Sequence, residues 1–293
     1  MLVSAPASSA NLGPGFDCLA LAVDLPFVLA VSATGSGDPP LLDGAAMLGA
    51  ETSHPATVAY LEAGGDPRAQ LWWRSPIPPG RGLGFSGAAR VAGAFAARVA
   101  AGEPESVARR EAFAVAADLE GHGDNAAASA HGNLAVVAGR EVASLELPEG
   151  AAVLAWSPEG STSTNASRSR LPQEVPLRTA TGSVARAALW VAAVASGRPE
   201  LLMEASRDEL HQPGRLASRP DSAAVLEALR GAPGVFAAWL SGSGPSVAAL
   251  VDPSVVTAPD AVALPREHPG HVRLLAVDRA GVHVENPDRR LQI

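Results

Sequence analysis

The sequence predicts an α+β protein. Strand-like and helix-like stretches are mixed along it without the regular alternation of β-α-β units. Gly/Pro/Asn clusters punctuate them, and no repeat or low-complexity linker interrupts the chain. The 293 residues, 47% apolar and 18% charged, are enough for one or two globular domains.

Residues 2–8 and 18–34 read as strands, joined by the turn cluster ANLGPGFD. LWWRSPI (71–77) reads as a strand that packs Trp72 and Trp73 half-buried, and it leads into a glycine-rich loop. Residues 86–101 read as an alanine-rich helix with Ser86 at or near its N-cap. A second helix over 103–121 has acids in its first turn and Gly121 at its end. GNLAVVAG and VASLELP follow as strands, and AAVLAWS (151–157) opens a second half, so a boundary falls near residue 150. Helices are expected over 181–196, 200–211 and 221–230, then strand, glycine turn and strand over 236–251. VRLLAVD and GVHVEN read as a closing hairpin.

Composition excludes several chemistries. All 22 basic residues are arginine, so the lysine of a Walker A loop and Schiff-base catalysis are ruled out. Cys18 is the one cysteine, so an internal disulfide and a cysteine metal cluster are excluded, as fits a reducing cytoplasm. The net charge of −8 argues against a nucleic-acid partner. No basic residue precedes Arg68, and no long apolar run suggests a membrane span.

Four stretches carry candidate chemistry. PPGRGLGFSGAA (78–89) places glycines and Ser86 where a loop becomes a helix. Backbone N–H groups there could cradle phosphate without a charged side chain. A plain helix-start loop and a hydrolase-type nucleophile elbow are the other readings; the elbow needs a strand running directly into the serine. In ASSANLGPGFD, Asn11 and Asp17 could meet one ligand, or simply form an Asx-type turn. LEGHGDN brings Glu120, His122, Asp124 and Asn125 together at a helix end. Glu120 could hold Mg²⁺, and His122 and Asn125 a polar substrate. SGSGPS (241–246) is a second glycine turn that could approach a phosphate.

Taken in order with STNASRSRLPQEV (163–175), ARAALWVAAV (185–194) and DELHQPGR (208–215), these stretches resemble the GHMP small-molecule kinase superfamily, and within it the homoserine kinases. The resemblance covers residues 4 to about 251. It implies an ATP-binding N-terminal domain like ribosomal protein S5 domain 2 (1–150) and a ferredoxin-like C-terminal domain (151–293). ATP is then expected over Pro79, Gly80, Arg81, Gly82, Leu83, Gly84, Phe85, Ser86, Gly87 and Ala88. Ser86 and Glu120 match Mg²⁺ ligands. Asn11, Asp17, His122, Asn125, Thr164, Arg168, Arg215, Gly242 and Ser243 match substrate positions, with Asn125 orienting the hydroxyl. Two arginines suit a carboxylate, which a guanidinium binds bidentately.

The implied activity is ATP-dependent phosphorylation of L-homoserine for threonine biosynthesis, by a cytoplasmic homodimer. Another hydroxylated metabolite, or a non-catalytic binding role, is the alternative. The sequence departs from the family pattern at Phe85 and Gly87 in the loop, and at Gly132-Asn133, Thr179, Ser183 and Gly214.

Overall fold

The structure is a computed structural model that describes residues 1–32, 39–161, 167–169, 171–285 and 291–292. Two long antiparallel strands open it, β1 (Leu2–Ala10) and β2 (Leu19–Ser32). Short strands β3 (Leu41–Leu42), β4 (Ala45–Ala46) and β5 (Leu48–Gly49) follow, then β6 (Gln70–Arg74) and a hairpin of β7 (Leu134–Ala138) and β8 (Glu141–Leu145). The β1–β2 ladder shifts register after Pro6, which pairs with Pro26. Neither proline has an N–H to give, so the irregularity falls where it costs the ladder least. The same point divides β2: Leu19–Leu21 pair with β7, and Val28–Ser32 pair with β6.

Helices α1 (Pro55–Glu62), α2 (Phe85–Ala100), α3 (Glu105–Glu120) and α4 (Asp124–His131) pack on one another, and α2 and α4 pack on β1 and β2. Helix α2 lies at the centre, and every residue from Gly87 to Ala97 is buried except Arg90. Its alanines follow from that enclosure, because neighbours on several sides leave room only for small side chains. A Cβ on Gly93 would lie 2.0 Å from the carbonyl oxygen of Ala56, so α1 and α2 touch backbone to backbone there.

The second sheet is β9 (Ala152–Ser157), β10 (Val235–Leu240), β11 (Val247–Val251) and β12 (His271–Ala276), in the order β10-β11-β9-β12. Helices α5 (Leu177–Ala195), α6 (Leu202–Ala205), α7 (Gln212–Leu216) and α8 (Pro220–Arg230) belong to this half. Val225, Leu226 and Leu229 of α8 close a core with Trp156 and Leu240. The larger core runs on from the first sheet to Trp190 and Trp239, so the two halves share apolar contacts.

Two expectations are corrected. The segments over 271–285 do not form a hairpin: β12 pairs with β9, while β13 (His283–Val284) pairs with β1 of the other sheet. The Asp278 carboxylate accepts from the N–H groups of Ala280 and Gly281, and Val282 N–H bonds Ala130 O, which turns the chain across. Nor is 200–211 one helix. It breaks after Ala205, because Asp208 captures the N–H groups of Leu210, His211 and Gln212 and starts α7 instead. Strand β14 (Leu291–Gln292) pairs with β3. Among the described residues, no helix is long and apolar enough to cross a membrane.

Candidate functional site

A cavity of about 490 Å³ opens where β1, the N-terminus of α2, the α3–α4 junction and the second sheet meet. Asn11, Asp17, Gly80, Gly82, Leu83, Gly84, Phe85, Ser86, Gly87, Glu120, His122, Asn125, Arg168, Arg215, Gly242 and Ser243 all line it. Three predicted residues lie off its wall. Arg81 reaches out to Glu159 O (2.6 Å), Ala88 is buried in α2, and Pro79 is not among the lining residues. Thr164 lies outside the described residues.

The glycine-rich loop is held by packing. Gly84, not Ser86, is the N-cap of α2, with φ 71°, and Ser86 stands one residue inside the helix. A Cβ on Gly84 would lie 2.2 Å from Ser8 Oγ, and one on Gly82 2.2 Å from Ser241 O. These glycines therefore let the loop pass between β1 and the 241–246 turn. The first helical turn leaves the N–H groups of Phe85–Gly87 without intrahelical partners, beside the cavity those residues line. Phe85 turns its ring into a cluster with Phe27 (5.6 Å), Trp73 (5.4 Å) and His54 (6.1 Å). Trp73 stacks on Phe27 and His54 in the same cluster, as strand packing predicts.

A buried hydrogen-bond chain ties the loop to both sheets. Trp239 Nε1 donates to Ser9 Oγ (2.9 Å), and the Ser241 hydroxyl donates to Gly82 O (2.6 Å). A carbonyl only accepts, so the proton of the 2.7 Å Ser9–Ser241 contact belongs to Ser9. The chain runs one way: Trp239 to Ser9 to Ser241 to Gly82.

At one end of the cavity two guanidiniums stand over the ring of Phe16, Arg168 at 5.5 Å and Arg215 at 5.4 Å. Arg168 grips Asp17 through two bonds, Nη1–Oδ2 at 3.0 Å and Nη2–Oδ1 at 2.6 Å. Arg215 is 4% exposed; its Nη1 donates to Gly242 O and His211 Nδ1, and its Nε is buried without a partner. His211 donates from Nε2 to Gly13 O (2.7 Å), so it is the neutral tautomer, and burial first of all holds its pKa below the usual value. Asn11 bridges Gly242 O and the N–H of Asp17, fixing the turn that presents Phe16.

Asp124, buried at the start of α4, accepts from Asn125 N–H and bonds His122 Nδ1 (2.8 Å). Burial opposes a charge on His122, but the Asp124 bond and the carboxylates of Asp124 and Glu120 outweigh it and raise its pKa above the usual value. Ligand atoms of Asp17, His122 and Asp124 lie within 4.8 Å of one another. With Arg168 already on Asp17, this cluster suits a ligand ammonium better than a metal. Asn125 accepts from Ser8 Oγ (2.9 Å) beside the loop.

At the other end, Arg90 reaches back from α2. Its Nη1 donates to Ser86 Oγ and to Glu120 Oε1 (2.6 Å). A hydroxyl and a carboxylate are donors that Mg²⁺ accepts, but a guanidinium nitrogen occupies the place between them, so the pair as arranged does not fit the ion.

Sequence reasoning missed Arg90, Phe16, and helices α1 and α4. Arg90 had a signal: a charge within the alanine-rich first half of a helix, four residues after Ser86 and so on the same face.

Comparison with known proteins places the chain in a family. The GHMP kinases N terminal domain family matches residues 53–133, and the GHMP kinases C terminal family matches 190–261. A homoserine kinase of Thermus thermophilus is 40% identical, aligned over 84% of this chain and 85% of its own. The chain belongs to the homoserine kinases of the GHMP kinase family. It is thus related to small-molecule kinases along nearly all of its length: a homoserine kinase of Clavibacter michiganensis is 35% identical over 98% of this chain and 94% of its own. A solved homoserine kinase from Cytophaga hutchinsonii shares the fold, with a TM-score of 0.74 at 24% identity over 97% of each chain.

Two outcomes follow for this homoserine kinase family member. Ser241→Ala leaves the Ser9 hydroxyl and Gly82 O unmatched in the interior, so unfolding in denaturant should show a loss of about 1–3 kcal/mol. His122 has a raised pKa in the folded chain, so the stability it adds is present in full below about pH 6.5 and is lost as pH rises through that raised value. Melting temperature against pH should fall through this window for the wild type, and His122→Asn should flatten that segment.

Proposed function

We propose that this site transfers the γ-phosphoryl group of ATP to the side-chain hydroxyl of L-homoserine, giving O-phospho-L-homoserine for threonine biosynthesis. The observation that carries it is the convergence of Arg168 and Arg215 on Phe16, beside Asp17, His122 and Asp124 and across one cavity from the N-terminus of α2. One end has the charges of a zwitterionic amino acid in mirror image, and the other has the free N–H groups that favour phosphate.

The α-carboxylate bonds Arg215, whose buried Nε is unpartnered, and Arg168. The α-ammonium goes to Asp17 and Asp124. This orientation points the short side chain toward Asn125, where α4 meets the loop, and Asn125 orients the hydroxyl toward the γ-phosphorus. The N–H groups of Phe85, Ser86 and Gly87 take the phosphoryl oxygens. Phosphoryl transfer depends chiefly on such positioning and charge stabilisation, so it is compatible with there being no strong base beside Asn125 among the described residues. The Mg²⁺ expected of Ser86 and Glu120 requires Arg90 to leave them. The assembly is read as a homodimer, in the cytoplasm.

The test is ATP consumption by the purified protein with L-homoserine, L-threonine, L-serine, mevalonate or no acceptor. Selective turnover of homoserine supports the reading, and equal turnover of all, or of none, ends it. Arg215→Met should lower kcat/KM for homoserine by about 10²- to 10³-fold, since truncating one member of a buried charged pair costs roughly 2–5 kcal/mol. The affinity for ATP, measured by calorimetry, should stay near the wild-type value.

A further inference from the structure

Arg90 is the one residue from Gly87 to Ala97 of α2 that is not buried, and it lines the cavity. Its side chain is 21% exposed, and Glu120 opposite is 8% exposed. Among the described residues, its hydrogen bonds all leave from Nη1, to Ser86 Oγ and Glu120 Oε1. Its Nε is buried without a partner. A guanidinium held only as an ion pair can use its fork against both oxygens of one carboxylate, as Arg219 does with Asp221. Arg90 instead spends one nitrogen and holds the rest of its donors in reserve. It does so one helical turn from the N–H groups that take phosphate, on the same helix face as Ser86.

Resting on the reading of the site as an ATP-dependent kinase, the geometry points to Arg90 as a cation supplied by the protein itself for the terminal phosphates of the nucleotide. Ser86 and Glu120 position that guanidinium and are not ligands of a divalent ion. The remaining donors of Arg90 bind phosphate oxygens, and Glu120 keeps the side chain from swinging out. A guanidinium suits this post because it is charged at any working pH and its planar donors match a phosphate. Any magnesium that accompanies the nucleotide is held by phosphates and water.

The experiment is calorimetric ATP binding to the whole chain, in EDTA and in excess Mg²⁺, for the wild type, Arg90→Lys, Arg90→Met and Arg90→Met with Glu120→Gln. The double variant removes both charges, so no unpaired Glu120 is left to unfold the chain. The wild type should bind ATP in EDTA within about tenfold of its affinity in Mg²⁺. Arg90→Met and the double variant should lose about 10- to 100-fold in EDTA, with Arg90→Lys between them. Mn²⁺ titrated with ADP present and read by electron paramagnetic resonance gives the second measurement. Glu120→Gln should leave Mn²⁺ affinity unchanged while Arg90 is present. If Glu120→Gln weakens Mn²⁺ about tenfold or more, Glu120 is a metal ligand, and if the wild type binds ATP only with Mg²⁺, Arg90 does not supply the cation; either result overturns the proposal while the kinase reading stands. No ATP binding in either buffer overturns both.

Discussion

The chain of hydrogen bonds from Trp239 through Ser9 and Ser241 to Gly82 is the constraint on which the rest of the site depends. Every proton in it has one possible direction, because it starts at an indole that can only donate and ends at a carbonyl that can only accept. It joins the second sheet, strand β1 of the first, and the loop at the head of α2. A loop with three glycines at positive φ has little side-chain packing of its own to hold it beyond the buried Leu83. Here its shape is imposed from outside. Ser8 N–H bonds Leu83 O, Ser246 N–H bonds Arg81 O, and the missing side chains of Gly82 and Gly84 leave the space that β1 and the second turn fill. A phosphate cradle built from backbone needs such bracing, since its donors are useful only while they stay fixed.

That bracing also explains why the two halves form one cavity. Gly242 O receives both Asn11 Nδ2 and Arg215 Nη1, so the turn after β10 carries the amino-acid end as well as the loop end. Asn11 in turn fixes Asp17 N–H and with it the position of Phe16. The distance between the phosphate end and the carboxylate end is therefore set by one short turn of small residues.

Much of this was legible in the sequence, for identifiable reasons. Glycine loops and the Glu120–Asn125 cluster are local signals, readable over a few residues, and they lie on the cavity. The fate of Phe85 was not legible. Its bulk looks like an obstruction to phosphate until Phe27, His54 and Trp73, up to 58 positions away, supply a place for the ring. The cap of α2 was placed two residues late, at Ser86, because serine is a strong cap on average, whereas here Gly84 must pass under Ser8 Oγ. Helices α1 and α4 are eight residues each, too short for periodicity to declare them. The closing segments alternate as strands should, yet alternation does not say which sheet a strand joins.

The charges of the cavity follow one scheme. Arg168 rests on Asp17, Arg90 on Glu120, and His122 on Asp124. Each ion is thus compensated before any ligand arrives, which a half-buried site requires, because an unpaired charge withdrawn from water is strongly unfavourable. On the proposed reading, a zwitterion and a polyphosphate would not add charge to such a site so much as exchange partners within it: carboxylate for Asp17 on Arg168, ammonium for Arg168 on Asp17, phosphate added to Arg90. Binding energy then comes from the difference between the new partners and the old, and a ligand missing one of its charges leaves one exchange incomplete. Arg215 is the exception that gives the scheme a direction. It has no carboxylate partner among the described residues, only a carbonyl, a neutral imidazole and the face of Phe16, so the first anionic group to enter the amino-acid end meets a cation already waiting for it.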